Sequence, residues 1–360
     1  MIRVGVVGGG LVAQAMHIPN LAALRDRFRL VGLAEPSETI RTALGARYGI
    51  EGLYSDYRGL LEGGELDAIV VASPAGTHAE VVLAALDAGL HVFVEKPMCI
   101  TLADADAIVA ARDAAARVVQ VGTMKRYDPA VEHMLEELPE TSADLRHVSV
   151  VVNDPEFEPF FGPGEIVRGT DVPADLIAAT RQAEADQVET AVGSGHPDVV
   201  RAFSESFLGS LLHDLNVVHG LLERMGEPLP AAVVAGDWWN EGRAVTGSLR
   251  LANGARVDTA WIQLLDTFEY DERISFFFAE SVRTLTFPSP WLRQYPTVYR
   301  RSGANGRTNE AAVLTSYEEP FSRELVHFHD CIAGGIPCRT PPEQARLDID
   351  VLTQMFLASK

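Results

Sequence analysis

The residue type and the setting of Lys96 suit proton transfer. Lys96 follows the apolar run Val92–Val94 and is flanked by Glu95 and Pro97. An apolar run that stops on a charged pair predicts a buried strand, and open parallel sheets bind ligands beyond the carboxyl ends of their strands. Burial and a neighbouring positive charge bring a lysine pKa from about 10.4 towards 7 or 8, where the amine accepts a proton. The alternative is a surface ion pair that caps the strand.

His213 is a second candidate for proton transfer, because imidazole titrates near neutral pH. The surrounding apolar residues recur at helical spacing and predict a buried stripe. They are Leu208, Leu211, Leu212, Leu215, Val218 and Leu222. The sequence therefore predicts a helix that carries His213 and Asp214 beside a buried face.

A glycine-rich turn follows the first predicted strand, Ile2–Val7. Three small residues, Gly8, Gly10 and Ala13, have the spacing GxGxxA, and a helix is predicted to begin near Leu11. The first glycine permits a tight turn, the second lets the backbone approach a pyrophosphate, and the third small residue packs helix on strand. The helix N-terminus supplies N–H groups for phosphates. We predict a dinucleotide site at Gly8, Gly10, Leu11, Val12 and Ala13.

Glu35 ends the predicted strand Phe28–Ala34. An acidic side chain there accepts hydrogen bonds from the adenine ribose and repels a 2′-phosphate. Glu35 therefore favours NAD, although NADP stays open because Ser37 and Arg41 lie close by. The alternative for Glu35 is a solvated turn residue.

A polar loop, Ser73-Pro74-Ala75-Gly76-Thr77-His78, follows the predicted strand Ala68–Ala72. Its position at a strand end predicts that Ser73, Pro74 and His78 contact the cofactor, with the substrate as a second possible contact of His78. His78 could equally cap the helix that follows.

Strands that alternate with helices position these candidates and predict a doubly wound parallel sheet. Later in the chain, alternating runs follow one another directly and predict an antiparallel sheet. They are Asp144–Asn153, Ala231–Ala235, Ala244–Leu251, Arg256–Leu264, Arg273–Ala279 and Ser281–Phe287. The predicted fold class is α/β, with a dinucleotide-binding Rossmann domain over residues 1–126 and a substrate-binding and oligomerisation domain over residues 127–360. A C-terminal helix at about 343–357 is expected to pack back on the first domain.

The polar stretch 154–197 interrupts the second half and contains a predicted helix, Ala174–Ala185. Long irregular segments in compact domains are often lids or binding loops, so we expect an insertion over or near the site. A disordered excursion and an oligomer arm are the alternatives.

Composition excludes several classes of protein. The net charge of −20 over 360 residues disfavours nucleic acid and anionic membranes as partners. No apolar run approaches the roughly 18 residues of a membrane span, and no signal pattern is present at the N-terminus, so a cytoplasmic location is expected. The three cysteines lack paired CxxC spacing, and His327 and His329 lie two residues apart, so no metal site is predicted.

Four motifs resemble, in order, those of the Gfo/Idh/MocA family, named for glucose-fructose oxidoreductase and inositol dehydrogenase. They are Gly8 to Ala13, Ser73 to His78, Glu95-Lys96-Pro97 and Gly122 to Pro129. The resemblance implies a Rossmann domain followed by an α/β domain on an open, mostly antiparallel sheet. It also implies NAD(P)-dependent hydride transfer to or from a sugar, inositol or related polyol, with Lys96 at the substrate hydroxyl.

The resemblance extends to the helix around His213, but the family's aspartate four residues earlier is replaced here by Gly209. We assign catalysis to Lys96 and His213, and add Glu95 and Lys96 to the cofactor contacts. The predicted substrate-binding residues are Lys96, Lys125, Tyr127, His213 and Asp214.

Two alternative functions remain open at this point. One is a redox-neutral reaction with tightly bound NAD, such as epimerisation, elimination or aldose-to-aldose transfer. The other is a non-catalytic NAD-binding sensor, which Gly209 keeps open. Because members of this family commonly pair through their sheet faces, a homodimer or homotetramer through the C-terminal sheet is expected.

Overall fold

The structure is a computed structural model that describes residues 1–155, 161–162, 164–293, 295–305 and 308–359. Its internal contacts divide the chain into two compact units. Unit 1 comprises Met1–Thr123, Phe161–Ala191 and Phe321–Arg346, and unit 2 comprises Met124–Phe160, Val192–Pro320 and Leu347–Lys360. Residues 156–160 and 163, which belong to the predicted insertion, lie outside the described residues.

Eleven α-helices are present in the part of the chain that the structure describes. They are α1 (Ile18–Ala23), α2 (Glu38–Tyr48), α3 (Tyr57–Gly63), α4 (His78–Asp87), α5 (Leu102–Ala115), α6 (Pro129–Glu137), α7 (Ala174–Val192), α8 (Pro197–Val200), α9 (Leu212–Arg224), α10 (Pro320–Gly334) and α11 (Pro342–Leu357). Two stretches of wider π-type helix, Ala13–His17 and Arg201–Leu211, directly precede α1 and α9.

Unit 1 is built on a parallel sheet with the strand order β3-β2-β1-β4-β5-β6. The strands are β1 (Ile2–Val7), β2 (Phe28–Ala34), β3 (Gly52–Tyr54), β4 (Ala68–Val71), β5 (His91–Glu95) and β6 (Val119–Gly122). All four residues of β4 are fully buried, as expected for a strand covered on both faces. The strand order reverses between β1 and β4, and the loops after these strands begin at Gly8 and near Ser73. This switch point is where doubly wound sheets bind ligands.

Unit 2 is built on an eight-stranded sheet with the order β14-β13-β12-β11-β7-β10-β9-β8. Only the β10–β7 pair is parallel among the described strands. The strands are β7 (Leu145–Pro155), β8 (Ala232–Trp239), β9 (Ala244–Arg250), β10 (Arg256–Leu264), β11 (Asp271–Phe278), β12 (Ser281–Phe287), β13 (Thr297–Asn305) and β14 (Thr308–Ser316). The predicted fold class is therefore confirmed.

The apolar stripe predicted around His213 is buried along its whole length, from Leu208 to Leu222. The first part of this helix differs from the prediction, because Arg201–Leu211 has π-type rather than α-type turns. The aromatic side chains of the unit 2 sheet differ in burial: Trp261 and Phe276 are buried, whereas Trp239 is 45% exposed.

Each unit is made of three separate stretches of the chain, so a single domain boundary does not describe the division. The first change of unit follows Thr123, close to the predicted boundary after residue 126, but residues 161–191 and 321–346 group with the Rossmann sheet. Helix α11 begins in unit 1 and continues into unit 2. The assignment of function to domains 1–126 and 127–360 stays a prediction.

Candidate active site

The glycine turn after β1 has the geometry that a dinucleotide requires. Gly8 has a φ of 97°, and a Cβ atom there would lie 2.5 Å from the carbonyl oxygen of Ala72, so only glycine fits. A Cβ atom on Gly10 would meet nothing within 4 Å, which leaves the backbone open to a pyrophosphate. Helical structure begins at Leu11, and Ala13 is fully buried. The turn therefore fits the phosphates of a dinucleotide.

Glu35 lies beside this turn at the end of β2. Its carboxylate accepts hydrogen bonds from the backbone N–H of Gly9 (2.8 Å) and of Ser37 (2.9 Å). The side chain is nearly buried, so these two bonds fix its orientation. Each carboxylate oxygen can accept a further bond, which a ribose hydroxyl can supply.

The loop after β4 is joined to the loop after β5 by His78. In the buried His78 ring, Nε2 lies 2.7 Å from the carbonyl oxygen of Ser73, and Nδ1 lies 2.8 Å from the carbonyl oxygen of Pro97. Burial lowers the pKa of His78, and the two carbonyl contacts oppose that shift. His78 therefore braces two strand-end loops, and its contact with a cofactor stays a prediction.

Glu95 and Lys96 lie at the carboxyl end of β5. The Glu95 carboxylate is buried, pairs with Nε2 of His17 at 2.6 Å, and accepts the backbone N–H of Lys96 at 3.1 Å. Burial by itself raises the pKa of Glu95, but His17 and Lys96 outweigh it, so the net pKa is lowered. Glu95 is thus an ionised anchor, and it positions the backbone of Lys96. The Lys96 side chain is half-buried.

Unit 2 contains a buried charged cluster around Lys125. The Lys125 ammonium pairs with the carboxylates of Glu272 and Asp214, the latter at 3.4 Å, and Tyr270 donates its hydroxyl to Glu272. Burial raises the pKa of Asp214 well above its usual value, and repulsion from Glu272 adds to this despite the attraction of Lys125. The pKa of Lys125 is also raised, because the two acids outweigh the effect of its burial. Lys125 is therefore a charged structural partner in this cluster.

The other residues assigned to substrate binding differ in accessibility. Tyr127 is 1% exposed and Asp214 is buried in the cluster, whereas His213 is half-buried near the start of α9. Gly209 lies in the π-type stretch, where a Cβ atom would lie 3.0 Å from the carbonyl oxygen of Ser204. An aspartate at this position would be crowded against that backbone, which gives a local reason for glycine.

Two groups of donor atoms are brought together that sequence spacing does not reveal. Within the described residues, His17, Glu95 and Glu324 form one group, and His327, Cys331 and Cys338 form another, each with donor atoms within 4.8 Å of one another. The proximity of Cys331 and Cys338 was not predicted from their spacing in the sequence. His327 and Cys331 are four residues apart on α10, a spacing that places them on one helix face and was the overlooked signal.

The hydrogen bonds of the cysteine group favour thiol chemistry over metal binding. The backbone N–H of Arg339 donates to Nε2 of His327 at 3.0 Å, so a neutral ring keeps its proton on Nδ1. A nitrogen that carries a proton is not a metal ligand. The pKa of Cys331 is lowered, because the Cys338 thiol and then His327 form hydrogen bonds to it.

The candidate residues are grouped by unit. The cofactor candidates from Gly8 to Lys96 lie in unit 1, and Lys125, Tyr127, His213 and Asp214 lie in unit 2. The joint action of Lys96 and His213 stays a prediction. No described helix is long and apolar enough to cross a membrane.

The parallel sheet, its switch point and the glycine turn define a dinucleotide-binding Rossmann protein. Comparison with known proteins supports this class. Residues 2–123 match the model of the Gfo/Idh/MocA oxidoreductase family, described as an oxidoreductase family with an NAD-binding Rossmann fold.

Relatives and solved structures extend the similarity beyond this domain. The chain is 26% identical over 352 residues to myo-inositol 2-dehydrogenase of Thermotoga maritima, covering 96% of this chain and 92% of the relative. It is 37% identical over 130 residues to inositol 2-dehydrogenase of Paracoccus denitrificans, covering 36% of this chain and 38% of the relative. The fold is similar to that of a 3-ketoreductase from Actinomadura kijaniata in complex with NADP, with a TM-score of 0.73, 17% identity and coverage of 99% and 97%. The resemblance to the Gfo/Idh/MocA oxidoreductases is therefore confirmed over residues 2–123, and the similarity to myo-inositol 2-dehydrogenase extends over most of the chain.

Proposed function

We propose that this enzyme transfers a hydride between NAD and a secondary alcohol of a sugar, inositol or related polyol. The nicotinamide cofactor, when bound, supplies the hydride acceptor or donor. The observation that carries the cofactor half of the proposal is the arrangement of Glu35 beside the open turn at Gly10. The inositol dehydrogenase relatives support the substrate half.

The choice of NAD over NADP is supported by the anchored carboxylate of Glu35. An ionised side chain at this strand end accepts hydrogen bonds from ribose hydroxyls and repels a 2′-phosphate. The Gly9 and Ser37 N–H groups hold the carboxylate in place, so binding the ribose requires no rearrangement of Glu35.

The proposal assigns proton transfer to Lys96 and His213. Lys96 directly follows Glu95, which is the last residue of β5 and is fixed by His17. Glu95 also accepts the backbone N–H of Lys96, and this rigid attachment suits a side chain that must meet a substrate hydroxyl. His213 has the residue type for a relay near neutral pH. Gly209 stands where the family has an aspartate one turn before the histidine, so the proposal assigns no proton-transfer role to an aspartate at this position.

The test is turnover of a panel of inositols, sugars and polyols by the purified protein, with NAD or NADP, followed through absorbance of the reduced nicotinamide. We expect reduction of NAD with at least one polyol. Lys96→Met and His213→Ala should each lower turnover about 10²- to 10⁴-fold, as loss of a general acid or base does. Lys360→Met and His196→Ala are the matched controls, since His196 is exposed and caps α8.

The small number of lysines allows an independent test of Lys96. The chain has three, Lys96, Lys125 and Lys360. Lys125 is buried and ion-paired, so an amine-acetylating reagent should modify Lys96 in preference to it. Bound NAD should slow acetylation of Lys96 and leave that of Lys360 unchanged, as measured by peptide mass spectrometry. Equal acetylation with and without NAD would remove Lys96 from the cofactor site.

The same assays distinguish the alternatives. A redox-neutral reaction converts substrate to product with NAD bound but without accumulation of reduced cofactor, which product analysis detects. A sensor binds NAD and converts nothing in the panel. We also propose a homodimer or homotetramer through the sheet of unit 2, where Trp239 is exposed on β8; light scattering on the purified protein tests it.

A further inference from the structure

The segment 164–171 of unit 1 lies against the candidate cofactor site. Its middle is joined to the helix that follows the glycine turn, because the side-chain amide of Gln14 both accepts the N–H of Val167 (2.8 Å) and donates to its carbonyl oxygen (3.0 Å). The same Gln14 amide donates to the carbonyl oxygen of Gly9 at 2.7 Å. The segment is therefore fixed directly to the turn that is proposed to bind phosphates.

The end of this segment reaches the loop after β2. Asp171 accepts a hydrogen bond from the hydroxyl of Ser37 at 2.5 Å and another from the backbone N–H of Thr39 at 3.0 Å. The approach is close, since a Cβ atom on Gly169 would lie 2.1 Å from the Ser37 hydroxyl oxygen. These two bonds lower the pKa of Asp171 to about 2, so it is an anion at neutral pH.

The donors that Asp171 occupies are those that a 2′-phosphate would need. Ser37 and Thr39 come two and four residues after Glu35, at the N-terminus of α2, where N–H groups and the helix dipole favour an anion. In dinucleotide sites the 2′ position of the adenine ribose lies beside the acidic residue at this strand end. An oxygen anion is thus already held where the extra phosphate of NADP would bind.

Two positively charged side chains lie near these groups in the sequence, Arg41 close to the two donors and Arg168 close to Asp171. Arg41 directs one guanidinium nitrogen at the carbonyl oxygens of Glu35 (2.6 Å) and Pro36 (3.3 Å). Arg168 is exposed on the segment itself. An incoming phosphate would meet two carboxylates, Glu35 and Asp171, beside these cations.

We propose that Asp171 is a specificity residue that excludes NADP by occupying the 2′-phosphate donors Ser37 and Thr39 with its own carboxylate. This inference rests on the proposed dinucleotide function. It assigns to the inserted segment a role in cofactor choice, beyond that of Glu35. NAD has no phosphate at the 2′ position, so it neither needs these donors nor meets the charge as closely.

The test compares dissociation constants for reduced NAD and NADP, measured by nicotinamide fluorescence with the full-length protein. Asp171→Asn keeps the size of the side chain but removes the charge, which leaves Ser37 and Thr39 with a weaker, neutral acceptor that a phosphate can displace. It should tighten NADP binding by about tenfold or more and change NAD binding by less than about threefold. Because Asp171 is exposed, the gain should shrink as salt concentration rises.

The matched control is Asp175→Asn, which removes the same charge from an exposed position in the first turn of α7. It should leave both dissociation constants within about twofold of the wild-type values, given screening over a greater distance. Circular dichroism and the thermal midpoint of Asp171→Asn confirm that the fold is kept.

Three outcomes overturn the inference. In the first, Asp171→Asn leaves NADP binding unchanged. In the second, it tightens NAD and NADP equally, which would make the segment a general barrier. In the third, Asp175→Asn tightens NADP binding as much as Asp171→Asn does, which would show that the net charge of the protein, rather than the position of Asp171, controls NADP binding. Binding of neither cofactor by any variant, including wild type, would instead overturn the proposed function.

Discussion

Replacement of Lys125 by methionine tests the electrostatic account of the buried cluster in unit 2. The side chains of Lys125, Asp214 and Glu272 are 7%, 1% and 0% exposed, so water cannot screen two acids that lose their cation. Removing one partner of such a buried pair costs about 3–5 kcal/mol of unfolding free energy. Methionine retains the apolar contact with Phe287, over whose ring the ammonium now lies at 5.3 Å. We expect Lys125→Met to lower the free energy of unfolding by that amount, as measured by urea-induced unfolding monitored by fluorescence.

The double variant Lys125→Met/Glu272→Gln should recover at least half of this loss. It removes one of the two acids, and the remaining Asp214 can be buried in its neutral form because its pKa is already raised. The control is Arg273→Met on the same strand, which breaks an exposed pair with Asp271 and should cost less than about 1 kcal/mol.

The pH dependence follows from the direction of the Asp214 shift. A carboxyl group whose pKa is raised on folding contributes stability at low pH, and that contribution is lost as the pH rises from the usual 3.8 towards the folded value. Lys125 attracts the Asp214 carboxylate and so lowers its pKa, and loss of Lys125 therefore raises the pKa of Asp214 further. The defect of Lys125→Met should therefore be smaller at about pH 5 than at about pH 8. Equal instability of the single and double variants, or a defect no larger than that of Arg273→Met, would refute the reasoning.

Two further predictions concern unit 1. Gly8→Ala should lower the stability by about 2 kcal/mol or more, because its Cβ atom meets Ala72 at 2.5 Å and its φ is positive; Gly10→Ala should leave the thermal midpoint unchanged and weaken NAD binding.

The glycine turn and the Rossmann sheet could be predicted from the sequence because their causes are local. Gly8 and Gly10 lie directly after a short valine-rich strand, and the φ of 97° at Gly8 needs that residue type. When strands alternate with helices, the parallel strands are almost always joined by right-handed crossover connections. The strand ends at Glu35 and Lys96 were therefore placed correctly on one sheet.

The strands β3, β13 and β14 were not predicted, because they lie in segments without a local signal. Strand β3 has three residues, and β13 and β14 lack a clear apolar alternation. In β14, Val313 is 55% exposed, so pairing with β13 rather than burial defines the strand. Backbone pairing leaves little trace in a sequence.

The sequence by itself determined the fold class, the family resemblance of the N-terminal region and the strand-end positions of the candidate residues, since these follow from short-range patterns of size, polarity and backbone freedom. Only the tertiary structure decided which side chains meet across long separations. It paired Ser37 with Asp171, 134 residues away, and it enclosed Lys125 between Asp214 and Glu272. Such contacts depend on how whole elements pack, and packing is a property of the complete fold rather than of any one segment.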